Sequence, residues 1–217
     1  MNTKTTIQIP EVISSRIEFK RKFSFWEMIR AFVFLPKALA TLIENRRSKL
    51  VDQKLLRRLQ LTVTEVSGCA ACSYQHAKMA LREGMSNEEI VSFLSGGDDF
   101  IKPNEAKAIM FAQHFAESRG YPKQYAYDVI VQEYGDKQAG TILSSVQLMI
   151  AGNMVGIPYS AFQSRLKGKP FKDSSLTYEL GMLISGILCL PFALVIGILR
   201  SLVGMPNVRC DKSAADD

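Results

Sequence analysis

Histidine is almost missing from this sequence, with two residues in 217, and cysteine occurs four times. Four cysteines in a chain of this size do not make a disulfide framework of the kind that staples small secreted domains. Two histidines leave no second ligand pair for a zinc site of ordinary spacing. No stretch alternates apolar and polar residues over strand length, which argues against a sheet. The N-terminus, Met1-Asn2-Thr3-Lys4-Thr5-Thr6, lacks a charged n-region followed by an apolar h-region, so the sequence predicts a main body in the cytoplasm. An acidic excess is missing as well: 27 Lys and Arg against 21 Asp and Glu leave a formal charge of +6, much of it between Arg16 and Lys49. No aromatic-basic repeat accompanies those cations, which points away from nucleic acid and toward an anionic membrane surface.

What is present has helical spacing, and the predicted fold class is all-α. Residues 1–22 are polar and basic, interrupted by Pro10, and read as a mobile lead-in. The apolar run from Phe23 to Arg47 reads as two helices split at Pro36, serving either as core and oligomer contacts or as a basic amphipathic segment on lipid. Lys49 to Ser67 reads as one helix with a stripe of Leu55, Leu59, Leu61, Val63 and Val66, ending at Ser67-Gly68. The next helix starts near Cys69, with Ser67 available as its cap, and stops at Gly84. Ser86-Asn87-Glu88-Glu89 has the form of a capping box and opens a short helix through Leu94. Pro103-Asn104-Glu105 begins another, which runs to Gly120 and holds His114 as a structural histidine; further helices follow Pro122 and Gly135. The predicted organisation is a helical domain over 23–170, a linker at 171–179, an apolar helix over 180–205 and a disordered tail at 206–217.

From Leu180 to Leu199 the chain carries 20 residues without a charge. At about 1.5 Å rise per residue these just span a hydrocarbon core of about 30 Å. A transmembrane helix is the leading expectation; a buried helix at a subunit interface and a hairpin broken at Pro191 stay open beside it. Arg165, Lys167, Lys169 and Lys172 favour a main domain on the cytoplasmic face, while Arg200, Arg209 and Lys212 weigh against that orientation.

The reactive side chains gather in Cys69-Ala70-Ala71-Cys72-Ser73-Tyr74-Gln75-His76. On a helix, spacings of three and four put Cys69, Cys72 and His76 on one face. A cysteine reacts as its thiolate, which is a minor species at neutral pH unless something lowers the thiol pKa from about 8.5. A helix N-terminus can do so, and His76 is placed to take the proton; Glu65, four residues before Cys69, could orient it if the chain bends back at Gly68. With those parts a thiolate can attack a peroxide, and the resulting sulfenic acid can condense with the second cysteine. A zinc site would need a fourth ligand beyond Cys69, Cys72 and His76, and two small buried residues beside a chance histidine would also satisfy the spacing.

Thr64-Glu65-Val66-Ser67-Gly68-Cys69-Ala70-Ala71-Cys72-Ser73-Tyr74-Gln75-His76, followed by Gly84-Met85-Ser86-Asn87-Glu88-Glu89-Ile90, resembles the core of the carboxymuconolactone decarboxylase and alkylhydroperoxidase-D-like (AhpD-like) superfamily. Gly152-Asn153-Met154-Val155-Gly156 and Ser164-Arg165-Leu166-Lys167-Gly168 resemble the end of that domain, so the similarity covers roughly residues 30–170. The resemblance implies an all-helical homo-oligomer, a trimer or a hexamer. It also implies peroxidase or disulfide reductase activity on a peroxide and a dithiol or thioredoxin-like reductant, with no bound cofactor or metal. Carried over by position, Cys72 is the peroxide-attacking thiol, Cys69 the resolving thiol and His76 the relay base. The family's relay glutamate lies twelve residues before the first cysteine, where this chain has Arg57. Glu65 replaces it, or the relay is incomplete, or an arginine stabilises the thiolate electrostatically. A non-catalytic redox sensor or a membrane-associated scaffold that retains the domain is the alternative reading.

Overall fold

The computed structural model describes residues 19–213, and over these the protein is all-α, built from seven α-helices and one 3-10 turn. The first helix, α1 (Phe25–Ser48), starts on a reciprocal capping box. Ser24 Oγ accepts the Glu27 N–H at 3.3 Å, and the Glu27 carboxylate accepts the Ser24 N–H at 2.6 Å. The expected break at Pro36 does not occur: the helix continues through it. Phe32, Phe34, Leu35 and Ala38 are buried on both sides of the proline, so continuing the helix buries more apolar surface than stopping it.

The helix expected from Lys49 begins later. Lys49 adopts a left-handed conformation (φ 52°) and closes α1. The buried Asn45 side chain then holds the turn, accepting the Val51 N–H at 2.9 Å and donating to the Val51 carbonyl at 3.0 Å. Asp52 caps α2 (Gln53–Ser67), which is buried around almost its whole circumference and forms the centre of the domain. Gly68 (φ 72°) ends it, and a Cβ at Gly68 would lie 2.9 Å from Lys20 Cγ, so the incoming chain packs directly on this turn.

The next helix, α3 (Ala70–Arg82), is followed by α4 (Asn87–Leu94), capped by Ser86 as expected. Glu89 does not complete the capping box, because its carboxylate is drawn to the buried Arg58, which also holds Glu105 at 2.7 Å. After the 3-10 turn Pro103–Glu105 come α5 (Ala106–Glu117) and α6 (Gln124–Leu166), the latter interrupted at Gly135 (φ 73°, ψ 161°), where a helix boundary is expected from the sequence. His114 is structural in the sense expected: its Nε2 accepts the Lys123 N–H at 3.0 Å.

The linker is shorter than expected, since α7 (Leu176–Leu202) begins on its Ser175 cap and runs unbroken past Pro191. Helices α6 and α7 lie antiparallel, locked by Arg165 on the fully buried Glu179 at 2.8 Å. α7 packs chiefly along α1. Both α6 and α7 are long and apolar enough to cross a membrane; α6 is mostly buried in the domain, whereas α7 is mostly exposed. The tail expected to be disordered is ordered through residue 213. Asn207 donates to Gln147 Oε1 at 2.9 Å, and Asp211 pairs backbone to backbone with Pro122 and Gln124. The lead-in at 1–18 and the last residues, 214–217, lie outside the described residues.

Candidate active site

Cys69 and Cys72 stand at the start of α3 and are joined as a disulfide, with their Cα atoms 5.3 Å apart. The helix cap is Cys69 itself and not Ser67: Cys69 Sγ accepts the Cys72 N–H at 3.3 Å, while the Ser67 hydroxyl is buried without a partner. Cys69 is 1% exposed and Cys72 9%, so Cys72 presents more of itself to solvent. The helix start is fixed from the other side by Ser160 of α6, whose Oγ accepts the Ala71 N–H at 3.1 Å and donates to the Gly156 carbonyl at 2.7 Å. One turn earlier on α6, Gly156 makes room for sulfur. A Cβ there would lie 2.6 Å from Cys72 Sγ and 2.7 Å from Cys69 Sγ, well inside contact distance.

His76 follows Cys72 by one helical turn. Its Nδ1 is 3.1 Å from Nη1 of Arg57, which reaches across from α2. Burial lowers the His76 pKa to about 4, reinforced by the Arg57 guanidinium and opposed in part by Glu83. The ring is therefore neutral at pH 7. Arg57 is itself buried and held on four sides: Nε and Nη2 form a fork on the Glu83 carboxylate at 3.1 and 2.6 Å, and Nη1 donates to Gln60 Oε1 at 2.7 Å and toward Met79 Sδ at 3.8 Å. His76, Met79 and Glu83 form one stripe of α3 against which the guanidinium lies. Gln60 continues the network to Ser145 of α6 at 3.3 Å.

Of the residues expected at the site, Cys69 and Cys72 are bonded and His76 lies next to them on α3. Glu65 is engaged elsewhere, in an ion pair with Lys20 over the Gly68 turn. The carboxylate connected to His76 is Glu83, through Arg57. Glu83, Gln60 and Ser160 do not stand out in the sequence, and Gly156 does so only within the stretch that resembles the end of the AhpD-like domain. Glu83 had a signal, falling two turns after His76 on the same helical face; Gly156 had another, a glycine inside an otherwise helical pattern. Among the described residues, no three His, Cys, Asp or Glu side chains gather in a way that could hold a metal ion.

The arrangement can interconvert a dithiol and a disulfide within one helical turn, beside a neutral imidazole and a fixed guanidinium. Compared with family models, curated proteins and solved structures, the chain matches none.

Proposed function

We propose that this protein is a thiol-dependent peroxidase or disulfide reductase of the alkylhydroperoxidase-D-like kind, cycling Cys69 and Cys72 and needing no bound cofactor. The observation that carries this reading is the bonded cysteine pair at a helix start, with its sulfurs seated against Gly156. In the reduced protein the Cys72 thiolate attacks the terminal oxygen of a peroxide ROOH. The O–O bond breaks, Cys72 becomes the sulfenic acid, and RO⁻ takes a proton and leaves as the alcohol. The Cys69 sulfur then attacks the sulfenic sulfur, releasing water and closing the disulfide. A dithiol reductant reopens it and is itself oxidised to a disulfide.

The outward face of α7 supports attachment to a membrane. Ile184, Leu188, Phe192, Val195, Leu199 and Leu202 follow one another at helical spacing, and all are exposed. α7 lies along α1, whose Arg30, Lys37, Arg46 and Arg47 are exposed. Contact with lipid along one face leaves those charges in water, and the basic residues suit an anionic, cytoplasm-facing surface. Self-association into a trimer or hexamer follows from the same family reading.

Burial of both sulfurs supports a second reading, a redox sensor whose disulfide closes slowly and is not turned over. Peroxide-dependent oxidation of a supplied dithiol, measured for the wild type, Cys69→Ser and Cys72→Ser, separates the two. Turnover lost in both variants supports the enzyme. Peroxide-driven loss of both thiols without consumption of the dithiol supports the sensor, and turnover unchanged in Cys72→Ser sinks both.

A further inference from the structure

His76 is hydrogen-bonded through Nδ1 to a group that can only donate. A guanidinium has no acceptor and stays protonated in proteins, so the imidazole must offer a lone pair at Nδ1. A neutral imidazole with its lone pair on Nδ1 carries its proton on Nε2. The guanidinium has little freedom to move away, because Glu83 holds two of its nitrogens and Gln60 shares the third. We infer that Arg57 sets the tautomer of His76, holding the ring proton on Nε2, so that the only role the imidazole can offer the cysteine pair is that of a hydrogen-bond donor and not of its base.

The consequence for the proposed chemistry is specific. A base would take the Cys72 thiol proton on a free ring nitrogen, and here one nitrogen is already protonated while the other faces a cation. The proton released on forming the Cys72 thiolate goes to solvent, and the alkoxide left by the peroxide takes its proton from solvent. His76 begins and ends each cycle neutral, and its Nε2–H is the donor it has to offer to negative charge on Cys72, one helical turn away. Arg57 is a positioning residue that acts through His76. The tautomer assignment stands on geometry alone; the role toward sulfur rests on the thiol reading above.

The chain supplies an internal reference. His114, the second of its two histidines, receives the Lys123 backbone N–H on Nε2, so its proton must sit on Nδ1. The experiment is a long-range proton–nitrogen correlation spectrum of the imidazole rings of the full-length ¹⁵N-labelled protein at neutral pH. Opposite patterns are expected, with His76 protonated on Nε2 and His114 on Nδ1. Arg57→Lys, which keeps a donor-only cation, should preserve the His76 pattern, and Arg57→Gln, whose amide can also accept, should mix the two tautomers. A His76 ring protonated on Nδ1, or on both nitrogens, in the wild type overturns the assignment whatever the variants do. In the reduced protein, the pH midpoint for Cys72 alkylation should rise by about one unit in Arg57→Gln, leaving about tenfold less thiolate at neutral pH. An unmoved midpoint overturns the donor role. An Nε2–H signature without any peroxide turnover would leave the tautomer standing and remove the proposed function.

Discussion

Gly156 sits in the middle of a long helix, where alanine is ordinarily favoured by about 1 kcal/mol. The two sulfurs occupy the place a methyl would take, at 2.6 and 2.7 Å from its ideal position, which reverses that preference. Gly156→Ala is expected to lower the stability of the oxidised protein by roughly 1–3 kcal/mol through overpacking and to slow closure of the disulfide. Thermal unfolding and thiol titration after a peroxide pulse read the two effects. At His76 the sign of the pH effect follows from a folded pKa of about 4 below an unfolded value near 6.5. The unfolded chain takes up the proton first as pH falls, so this stabilisation is complete above about pH 6.5 and is lost progressively down to about pH 4. Its full size is on the order of 3 kcal/mol. Urea unfolding at pH 7.5 and at pH 4.5 should show a clear fall in midpoint, and a flat profile over that interval would contradict the half-buried, arginine-facing ring. Cys69, Cys72 and His76 were legible in the sequence because their spacing alone puts them on one face. Arg57 was legible only as a departure, because the contact that gives it meaning joins residues 19 positions apart on different helices.

Among the elements, α1 and α7 approach closely at a glycine in the seam between them. A Cβ at Gly197 would collide with the Val33 carbonyl oxygen and come within 2.9 Å of Pro36 Cγ and Cδ. The proline that was expected to divide α1 is thus the surface against which α7 rests, and the glycine permits the contact. Gly197→Ala should therefore loosen α7 from α1, seen as faster proteolysis near residue 200 with the far-UV helical signal kept. The same seam changes what a shortened chain would do. Ending the chain near Lys172 strips the cover from Met28, which faces α7 at Gly186, and from Phe34, which lies beneath Arg200, so that fragment is expected to aggregate. Helix ends marked by a left-handed glycine at 68, 84, 120 and 135 could be read from the sequence, since few other residues tolerate that backbone. The turn from Lys49 to Asp52, which delays the start of α2, could not, because it depends on a buried Asn45 side chain that a local pattern does not reveal.

Among the described residues, α7 presents a face that water does not suit. Ile187 is 74% exposed and Phe192 72%, on a helix whose other side is covered. Co-sedimentation of the full chain with vesicles rich in phosphatidylserine should fall sharply in Ile187→Gln/Phe192→Gln, while the far-UV spectrum is unchanged. Equal binding by wild type and variant would remove lipid from the account of α7. The dithiol reductant of the proposed cycle would meet the molecule from outside, and to it the two cysteines are not equivalent. Cys72 keeps 9% of its surface in contact with solvent against 1% for Cys69, and Cys69 Sγ receives the Cys72 N–H as the cap of α3. In the proposed cycle a thiolate arriving from solvent attacks the more exposed Cys72, the S–S bond breaks, and the electron pair departs on Cys69, where a backbone amide is already aimed at it. On the proposed reading, the cap of the helix also makes Cys69 the better leaving group and gives the opening of the disulfide a direction.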